Sequence, residues 1–287
     1  MTDSFLAVDW GTTNRRVYRI EQGIVRSNVR DDRGIVAVPA GTFADEIALL
    51  RARHGDLPML LAGMIGSNRG WHDAGYVSAP ARLEDLAGGL KRIDARTAIV
   101  PGVSRIEGAR GEVMRGEEVQ LLGAAAAGLV PPDAQLCQPG THCKWARLER
   151  GALTDFVTAM TGEMFALLKA HALIGQEMTG VVHAGHAFRE GVGESRRNDL
   201  LASLFSVRPA ALLNLRPCEE IASFVSGLLI GADCRAHAAR GPVHLLADPA
   251  LGALYSAALM ELGSQAVMID SHDAFVAGIV RIRELSR

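Results

Sequence analysis

The chain lacks the features that mark membrane, secreted and nucleic-acid-binding proteins. Its 287 residues carry 30 Lys and Arg against 32 Asp and Glu, a formal charge of -2, which is too weak a field to steer the protein toward nucleic acid or an anionic lipid surface. No uncharged apolar run reaches the roughly 20 residues of a membrane-spanning helix. The first residues show neither the basic segment nor the apolar core of a signal peptide. We therefore expect a cytoplasmic protein with a small-molecule partner, no nucleic acid and no membrane, and the oligomeric state stays open, a homo-oligomer included.

Cysteine patterns and the common nucleotide-binding motifs are also missing. The four cysteines form no CxxC pair, so their spacing favours reduced thiols over a metal site or a disulfide framework. The GxGxxG, P-loop and GxSxG motifs are absent, which removes the support for Rossmann, P-loop and α/β-hydrolase folds. With 48% hydrophobic and 22% charged residues, the composition is that of an ordinary globular protein.

The first thirty residues predict an antiparallel meander of three strands. Apolar or strand-forming runs at 5–9, 15–20 and 24–29 are separated by glycine-containing turns at 11–14 and 21–23. Such alternation of short strands and glycine turns is typical of consecutive hairpins.

The same plan returns in the middle of the chain. Strand-like runs at 134–138, 144–148 and 152–157 flank turns that contain Gly140 and Gly151. The glycines of the two turns are 11 residues apart here and 12 apart in the first copy. The repetition predicts a duplicated unit, although glycine turns are common enough between strands for coincidence to be the alternative.

The remaining patterns predict a mixed α/β chain of two domains. Thr161 is a candidate N-cap, and Pro131-Pro132 would stop a helix, which puts the domain boundary between 1–130 and 131–287. The terminal helix is a candidate to pack back on the first domain. Helices are predicted over 41–53, 117–127, 162–173, 198–205, 218–239, 251–262 and 271–285, and further strands over 57–62, 96–100, 243–247 and 265–269.

The glycine hairpins are suited to binding phosphate. A turn of glycine and hydroxyl residues presents backbone N–H groups and side-chain hydroxyls to phosphate oxygens, and Gly11 and Gly140 would allow close approach of the backbone. Asp9, at the end of the strand before the first turn, is a candidate ligand for Mg²⁺. Two such hairpins and a magnesium ion supply most of what phosphoryl transfer requires.

A carboxylate that accepts the proton of an attacking hydroxyl is the remaining requirement. Glu117 and Glu118, at the start of a predicted helix, are the candidates for this general base. The alternative is that they only complement the positive end of the helix dipole. The sequence pattern leaves both interpretations open.

Several longer motifs carry a family resemblance over nearly the whole chain. Together they resemble the 2-dehydro-3-deoxygalactonokinases, a family in the superfamily of sugar kinases, heat-shock proteins and actin. The motifs are Asp9-Trp-Gly-Thr-Thr-Asn14, Ala62-Gly-Met-Ile-Gly-Ser67, Pro101-Gly-Val-Ser104, Val113-Met-Arg-Gly-Glu-Glu118, Pro139-Gly-Thr-His142, Met160-Thr-Gly-Glu163 and Ser226-Gly-Leu-Leu-Ile-Gly231.

The resemblance implies a fold and an activity. The fold is α/β, with two ribonuclease-H-like lobes of the actin-like ATPase type and a nucleotide cleft between them; the first lobe would bind the sugar acid and phosphate, and the second the nucleotide. The activity is phosphorylation of 2-dehydro-3-deoxy-D-galactonate at its 6-hydroxyl, with ATP and Mg²⁺, in galactonate and galactose breakdown. The alternatives are a kinase of another sugar acid, such as 2-dehydro-3-deoxygluconate, and a non-kinase ATP-binding switch of the actin or chaperone kind.

The resemblance also implies roles for individual residues. Glu117 is favoured over Glu118 as the base, and any of three arginines would bind the substrate carboxylate. The phosphate-binding residues would be Gly11, Thr12, Thr13, Asn14, Gly140, Thr141 and His142, and the sugar-acid-binding residues Arg16, Gly66, Ser67, Arg69, Trp71 and Arg115.

Two positions depart from the expected pattern. Asp248 stands in the turn where relatives have small glycines against adenine, so its place among the nucleotide-binding residues is in question. Cys143 stands where serine is expected, which would change the hydroxyl groups available in the second hairpin.

Overall fold

The structure, a computed structural model, describes residues 4–287. They form two compact units. The first unit comprises the chain up to residue 132 together with 149–155 and 272–287, and the second comprises 133–148 and 156–271.

The first unit is built on a six-stranded sheet. The strands run in the order β3-β2-β1-β4-β7-β6, in which β1, β2 and β3 form an antiparallel meander and β4 and β7 continue parallel to β1. The strands are β1 (Ser4–Trp10), β2 (Arg15–Glu21), β3 (Ile24–Asp31), β4 (Met59–Gly63), β6 (Lys91–Asp94) and β7 (Thr97–Ile99), and a separate three-stranded sheet holds β5 (Tyr76–Ser78), β8 (Gly102–Glu107) and β9 (Arg110–Met114).

Four helices complete the first unit. An apolar cluster beneath the six-stranded sheet includes Trp10 and Phe43, whose rings meet edge to face at 5.9 Å. The terminal helix α10 approaches α3 so closely that a Cβ on Gly123 would lie 2.1 Å from the Ala274 carbonyl oxygen. The helices are α1 (Phe43–His54), α2 (Leu83–Gly88), α3 (Glu117–Ala126) and α10 (Ser271–Leu285).

The second unit repeats the first arrangement of strands. Its five-stranded sheet has the order β12-β11-β10-β13-β14, which is the first sheet's order without its outer strand β6. The second meander is again followed by parallel strands, so the predicted duplication is confirmed. The strands are β10 (Ala134–Gln138), β11 (Cys143–Glu149), β12 (Ala152–Ala159), β13 (Pro242–Leu246) and β14 (Gln265–Ile269). The first half of β12 falls within 149–155, which is grouped with the first unit, although the strand pairs in this sheet.

Helices of the second unit surround α8, which is buried along most of its length. One apolar cluster packs β10, β11 and β13 against α5, α8 and α9, and another joins α8 to the segment 174–211. The helices are α4 (Thr161–His171), α5 (His186–Glu194), α6 (Leu200–Phe205), α7 (Val207–Leu212), α8 (Cys218–His237) and α9 (Pro249–Glu261).

The predicted elements occur within a few residues of their expected bounds, with some differences. The N-cap prediction for Thr161 is wrong, because α4 begins at this residue and its hydroxyl donates to Asp233 instead. The sequence did not predict the small sheet at 76–114, where strands are short and carry charged residues. It also did not predict α2, α5 and α7. Within residues 4–287, no helix has the length and apolarity to cross a bilayer.

Candidate active site

The first hairpin is a tight turn between β1 and β2 that the following loop supports. The Gly11 N–H donates to the Asn14 carbonyl at 2.9 Å and closes the turn. The carbonyl groups of Gly11 and Thr12 accept hydrogen bonds from the N–H groups of residues 35 and 36. Thr12, Thr13 and Asn14 are exposed. The turn therefore presents its hydroxyls to solvent while its carbonyl groups are engaged inside the unit.

Glycine packing places the start of α3 beside the end of β1. Gly63 ends β4 with φ +92°, and a Cβ there would lie 2.7 Å from the Trp10 carbonyl oxygen. Gly116 precedes α3 with φ +101°, and its own Cβ position would be 3.1 Å from Gly63 Cα and 4.0 Å from Asp9 Oδ1. Because side chains rarely adopt these φ values, both glycines are needed to bring Asp9 near the first turn of α3.

The two glutamates of α3 have different environments. Glu118 is fully buried, and its Oε1 accepts the Gly116 N–H at 2.8 Å. Glu117 is half-buried, and its Oε2 accepts the Arg115 N–H at 3.0 Å. Only the Glu117 carboxylate is thus held in place and still reachable by a ligand.

Three carboxylates crowd this part of the first unit. Burial, with Glu117 as a smaller contribution, raises the pKa of Asp9 to about 6. Burial and the same neighbour raise the pKa of Glu118 to about 8, so Glu118 is protonated at neutral pH. Arg16, paired with Asp9 across β1 and β2, lowers the Asp9 pKa and only partly offsets the effect of burial.

The carboxylates fit a magnesium ion that keeps most of its hydration shell. Mg²⁺ is usually bound through one or two carboxylates together with waters and substrate phosphates. Residues 4–287 contain no group of three or more side chains that could hold a metal by themselves. Asp9, whose charge is disfavoured by burial and by Glu117, is the residue that a cation would stabilise in its ionised form.

The sugar-acid residues predicted after β4 lie in one compact loop. Ser67 Oγ donates to the Met64 carbonyl at 2.7 Å and accepts the Arg69 N–H at 3.2 Å. Gly66 is buried, and the half-buried Trp71 packs on the core, with its backbone N–H donating to the Ile65 carbonyl.

The three candidate arginines differ in exposure. The Arg115 side chain is 4% exposed, lies 4.4 Å over the Tyr76 ring and donates to the Gly75 carbonyl at 3.0 Å. Its Nε and Nη1 are buried with no hydrogen-bond partner among the described residues. Arg69 is exposed, and Arg16 contacts the ring of His272. Arg115 therefore supports the loop from inside, whereas Arg69 can reach a ligand.

The second hairpin is supported by a helix instead of a loop. The Glu163 N–H in the first turn of α4 donates to the Thr141 carbonyl at 2.9 Å. Gly162 lies against the turn, and a Cβ there would be 2.3 Å from the Gly140 carbonyl oxygen. His142 Nε2 lies 2.7 Å from Glu163 Oε2. The sequence motif at 160–163 includes Gly162 and Glu163, which make these contacts, but nothing in the sequence paired Glu163 with His142.

The two positions that depart from the family pattern have clear environments. Cys143 is fully buried with its Sγ 3.5 Å from that of Cys137, so its side chain belongs to the core and not to the hydroxyl surface of the turn. Asp248 is the N-cap of α9, where its carboxylate accepts the N–H groups of Ala250 and Leu251.

Sequence reasoning missed a buried acceptor in the second unit. Asp233, 7% exposed, accepts hydrogen bonds from Trp145 Nε1, Thr161 Oγ1 and Tyr255 OH at 2.7 to 3.0 Å. It joins β11, α4, α8 and α9. A lone aspartate within a helix gives no sequence signal for such a role.

The duplicated sheets, each with a glycine hairpin between its first two strands, define the ribonuclease-H-like fold of actin-like ATPases and sugar kinases. The structure is similar to component A of (R)-2-hydroxyglutaryl-CoA dehydratase from Acidaminococcus fermentans, with a TM-score of 0.52 at 14% identity over 99% of both chains. This likeness shows the fold alone.

Within that class, the chain belongs to the 2-keto-3-deoxy-galactonokinase family, whose model matches residues 9–282. It is 33% identical to the 2-dehydro-3-deoxygalactonokinase of Escherichia coli K12 over 97% of both chains. A crystal structure from Sinorhizobium meliloti, provisionally assigned to the same activity, is 34% identical with a TM-score of 0.90 and covers 98% of this chain and 96% of its own. The resemblance inferred from the motifs is confirmed.

Proposed function

We propose that the protein transfers the γ-phosphoryl group of ATP to the 6-hydroxyl of 2-dehydro-3-deoxy-D-galactonate and releases the 6-phosphate and ADP. The observation that carries the proposal is the pairing of an exposed threonine hairpin with Asp9 and Glu117 in the first unit of a chain from this family. Phosphoryl transfer depends mainly on positioning and charge neutralisation.

The hairpins bind the phosphate groups in this proposal. Thr12 and Thr13 offer hydroxyls, and Thr141 and His142 are exposed in the corresponding turn of the second unit. Asp9 holds Mg²⁺, which when bound neutralises charge on the phosphate oxygens. Asp248 stays a predicted nucleotide residue, with its carboxylate engaged in capping α9.

Glu117 accepts the proton of the 6-hydroxyl as that oxygen attacks phosphorus. Its carboxylate is oriented by the Arg115 N–H, and unlike Glu118 it is partly exposed. A base that is protonated at neutral pH cannot accept this proton, and the raised pKa of Glu118, about 8, therefore favours Glu117.

The loop after β4 binds the sugar acid. The buried Gly66 and Ser67 and the half-buried Trp71 shape this loop, and Arg69, which is exposed two residues after Ser67, pairs with the substrate carboxylate. Arg16 is the second candidate for that contact. Arg115 keeps the loop in place through the Gly75 carbonyl.

An ADP-release assay over a panel of sugar acids tests the proposal. We expect turnover with 2-dehydro-3-deoxy-D-galactonate to exceed that with 2-dehydro-3-deoxygluconate and with galactonate. A preference for another sugar acid would show that the assigned substrate is wrong. Tight ATP binding without turnover on any of them would favour the ATP-binding switch instead.

A further inference from the structure

The second unit contains an apolar pocket that borders its hairpin. Its volume is about 210 Å³, and Gly140 and Gly162 form one side. Phe165, Leu229 and Leu254 are among the apolar side chains that line the rest. An apolar cavity of about 150 Å³ holds a benzene molecule, so this one has room for a flat bicyclic base. Its position next to the predicted phosphate-binding turn indicates the base of a nucleotide as the occupant.

Two of the pocket's three hydroxyl groups are committed to the protein. Thr161 Oγ1 donates to Asp233 Oδ2 at 2.7 Å, and Tyr255 OH donates to the same oxygen at 3.0 Å. Each hydroxyl has one proton, and here both protons are used by a buried carboxylate. These side chains therefore shape the pocket but have no hydrogen to give to a ligand.

The third hydroxyl, that of Ser226, has no hydrogen-bond partner elsewhere in residues 4–287 and lines the pocket from α8. A hydroxyl can both donate and accept. It can therefore pair with the amino group of adenine or with the keto group that guanine and hypoxanthine carry. Its chemistry does not distinguish these bases.

We propose that this pocket receives the purine base of the phosphoryl donor with only weak selection among purines, so that the protein uses GTP and ITP as well as ATP. The inference rests on the proposed kinase function. Sites that aim fixed hydrogen bonds at a ligand reject an analogue by about 10⁴- to 10⁵-fold, whereas apolar contacts discriminate by about 10- to 200-fold. Because its lining is mainly apolar, this pocket belongs with the sites that discriminate through apolar contacts.

Two measurements test the inference separately from the kinase activity. With the sugar acid saturating, kcat/KM for ATP, GTP and ITP is expected to agree within about 200-fold, and a larger preference for one base contradicts the proposal. Calorimetric Kd values for the same three nucleotides are expected to agree within the same limit whether or not turnover occurs. Loss of turnover with all three would refute the kinase function, while the Kd values would still decide the breadth of the donor site.

Substitutions in the pocket sharpen the test. Ser226→Ala, which a helix tolerates, should weaken all three nucleotides by about fivefold, the value of one hydrogen bond. A change in their ratio beyond about tenfold would show that Ser226 selects a base and would overturn the proposal. Leu254→Trp should fill the pocket and weaken all three together. Leu201→Ala is the matched control, since Leu201 is 81% exposed on α6 and does not line the pocket.

Discussion

The two units have the same strand order, yet their hairpins are supported and surrounded differently. In the first unit a loop donates N–H groups to the turn, and three carboxylates lie nearby. In the second unit the first turn of α4 supports the turn, and an apolar pocket adjoins it. The duplicated units share their strand order, but the elements around the two turns differ. The comparison assigns the proposed acid–base chemistry to the first unit and the proposed binding of the nucleotide's purine ring to the second.

The largest expected effect comes from removing the proposed general base, Glu117, from the first unit. Glu117→Gln should lower kcat by about 10²- to 10⁴-fold and leave ATP binding nearly unchanged, because the amide keeps the shape but cannot accept the proton. Single-turnover rates and calorimetric Kd values measure the two effects. Glu118→Gln tests the alternative, and a larger kcat loss there than at Glu117 would transfer the role.

Paired glycine substitutions compare the supports of the two hairpins. A Cβ on Gly34 would lie 2.2 Å from the Thr12 carbonyl oxygen, and one on Gly162 would lie 2.3 Å from that of Gly140. Either alanine must displace its turn by about 1 Å, which can cost about 10²-fold in rate. We expect Gly34→Ala to act on kcat and Gly162→Ala on the KM for ATP.

The controls for this pair are Gly88→Ala and Gly193→Ala, one in each unit, where a Cβ would meet nothing within 4 Å. They should keep near-normal kinetics. If Gly162→Ala left the KM for ATP unchanged while remaining folded by circular dichroism, the second hairpin would not be a phosphate site.

A pH titration tests the carboxylate chemistry of the first unit. The Asp9 pKa is raised to about 6, so protons should compete with Mg²⁺ below that pH, because a metal ligand must be deprotonated. The half-saturating Mg²⁺ concentration should rise by up to about tenfold for each pH unit below 6 and stay level above it. Asp9→Asn should abolish this dependence, and a flat wild-type profile from pH 5 to 8 would contradict the metal role.

The smallest expected effect concerns the second hairpin. Glu163→Gln weakens the contact with His142, which at its half-exposed site is worth at most about 1 kcal/mol. The KM for ATP should rise by about two- to fivefold with kcat unchanged. In a His142→Asn background the same substitution should have no further effect. Independent, additive effects of the two changes would show that the pair does not act together.

The sequence predicted the repeated meanders because glycine turns between short apolar runs determine local chain direction. It also predicted that Asp9, Glu117 and the threonine turns belong to a site, since the motifs that contain them are specific in combination. The residue pattern alone did not separate Glu117 from Glu118 as the base, and only the family resemblance favoured Glu117. Their difference comes from burial, which depends on how Gly63 and Gly116 allow β4 and α3 to approach.

Contacts between distant parts of the chain escaped sequence reasoning for the same reason. Asp233 is 72 residues from Thr161 and 88 from Trp145, and no local pattern links them. The small sheet at 76–114 was missed because its strands are short and partly charged. The pocket beside Gly140 is lined by three helices, the hairpin turn and the segment at Val182, and only the assembled unit reveals it.

The most direct test follows the phosphoryl group by ³¹P NMR, and the sugar acid by ¹H NMR, in a mixture of the protein, Mg²⁺, ATP and 2-dehydro-3-deoxy-D-galactonate. The proposal predicts that ADP and a phosphomonoester at the 6-position of the sugar acid appear in equal amounts. Formation of ADP with inorganic phosphate, while the sugar acid is recovered unchanged, would contradict it.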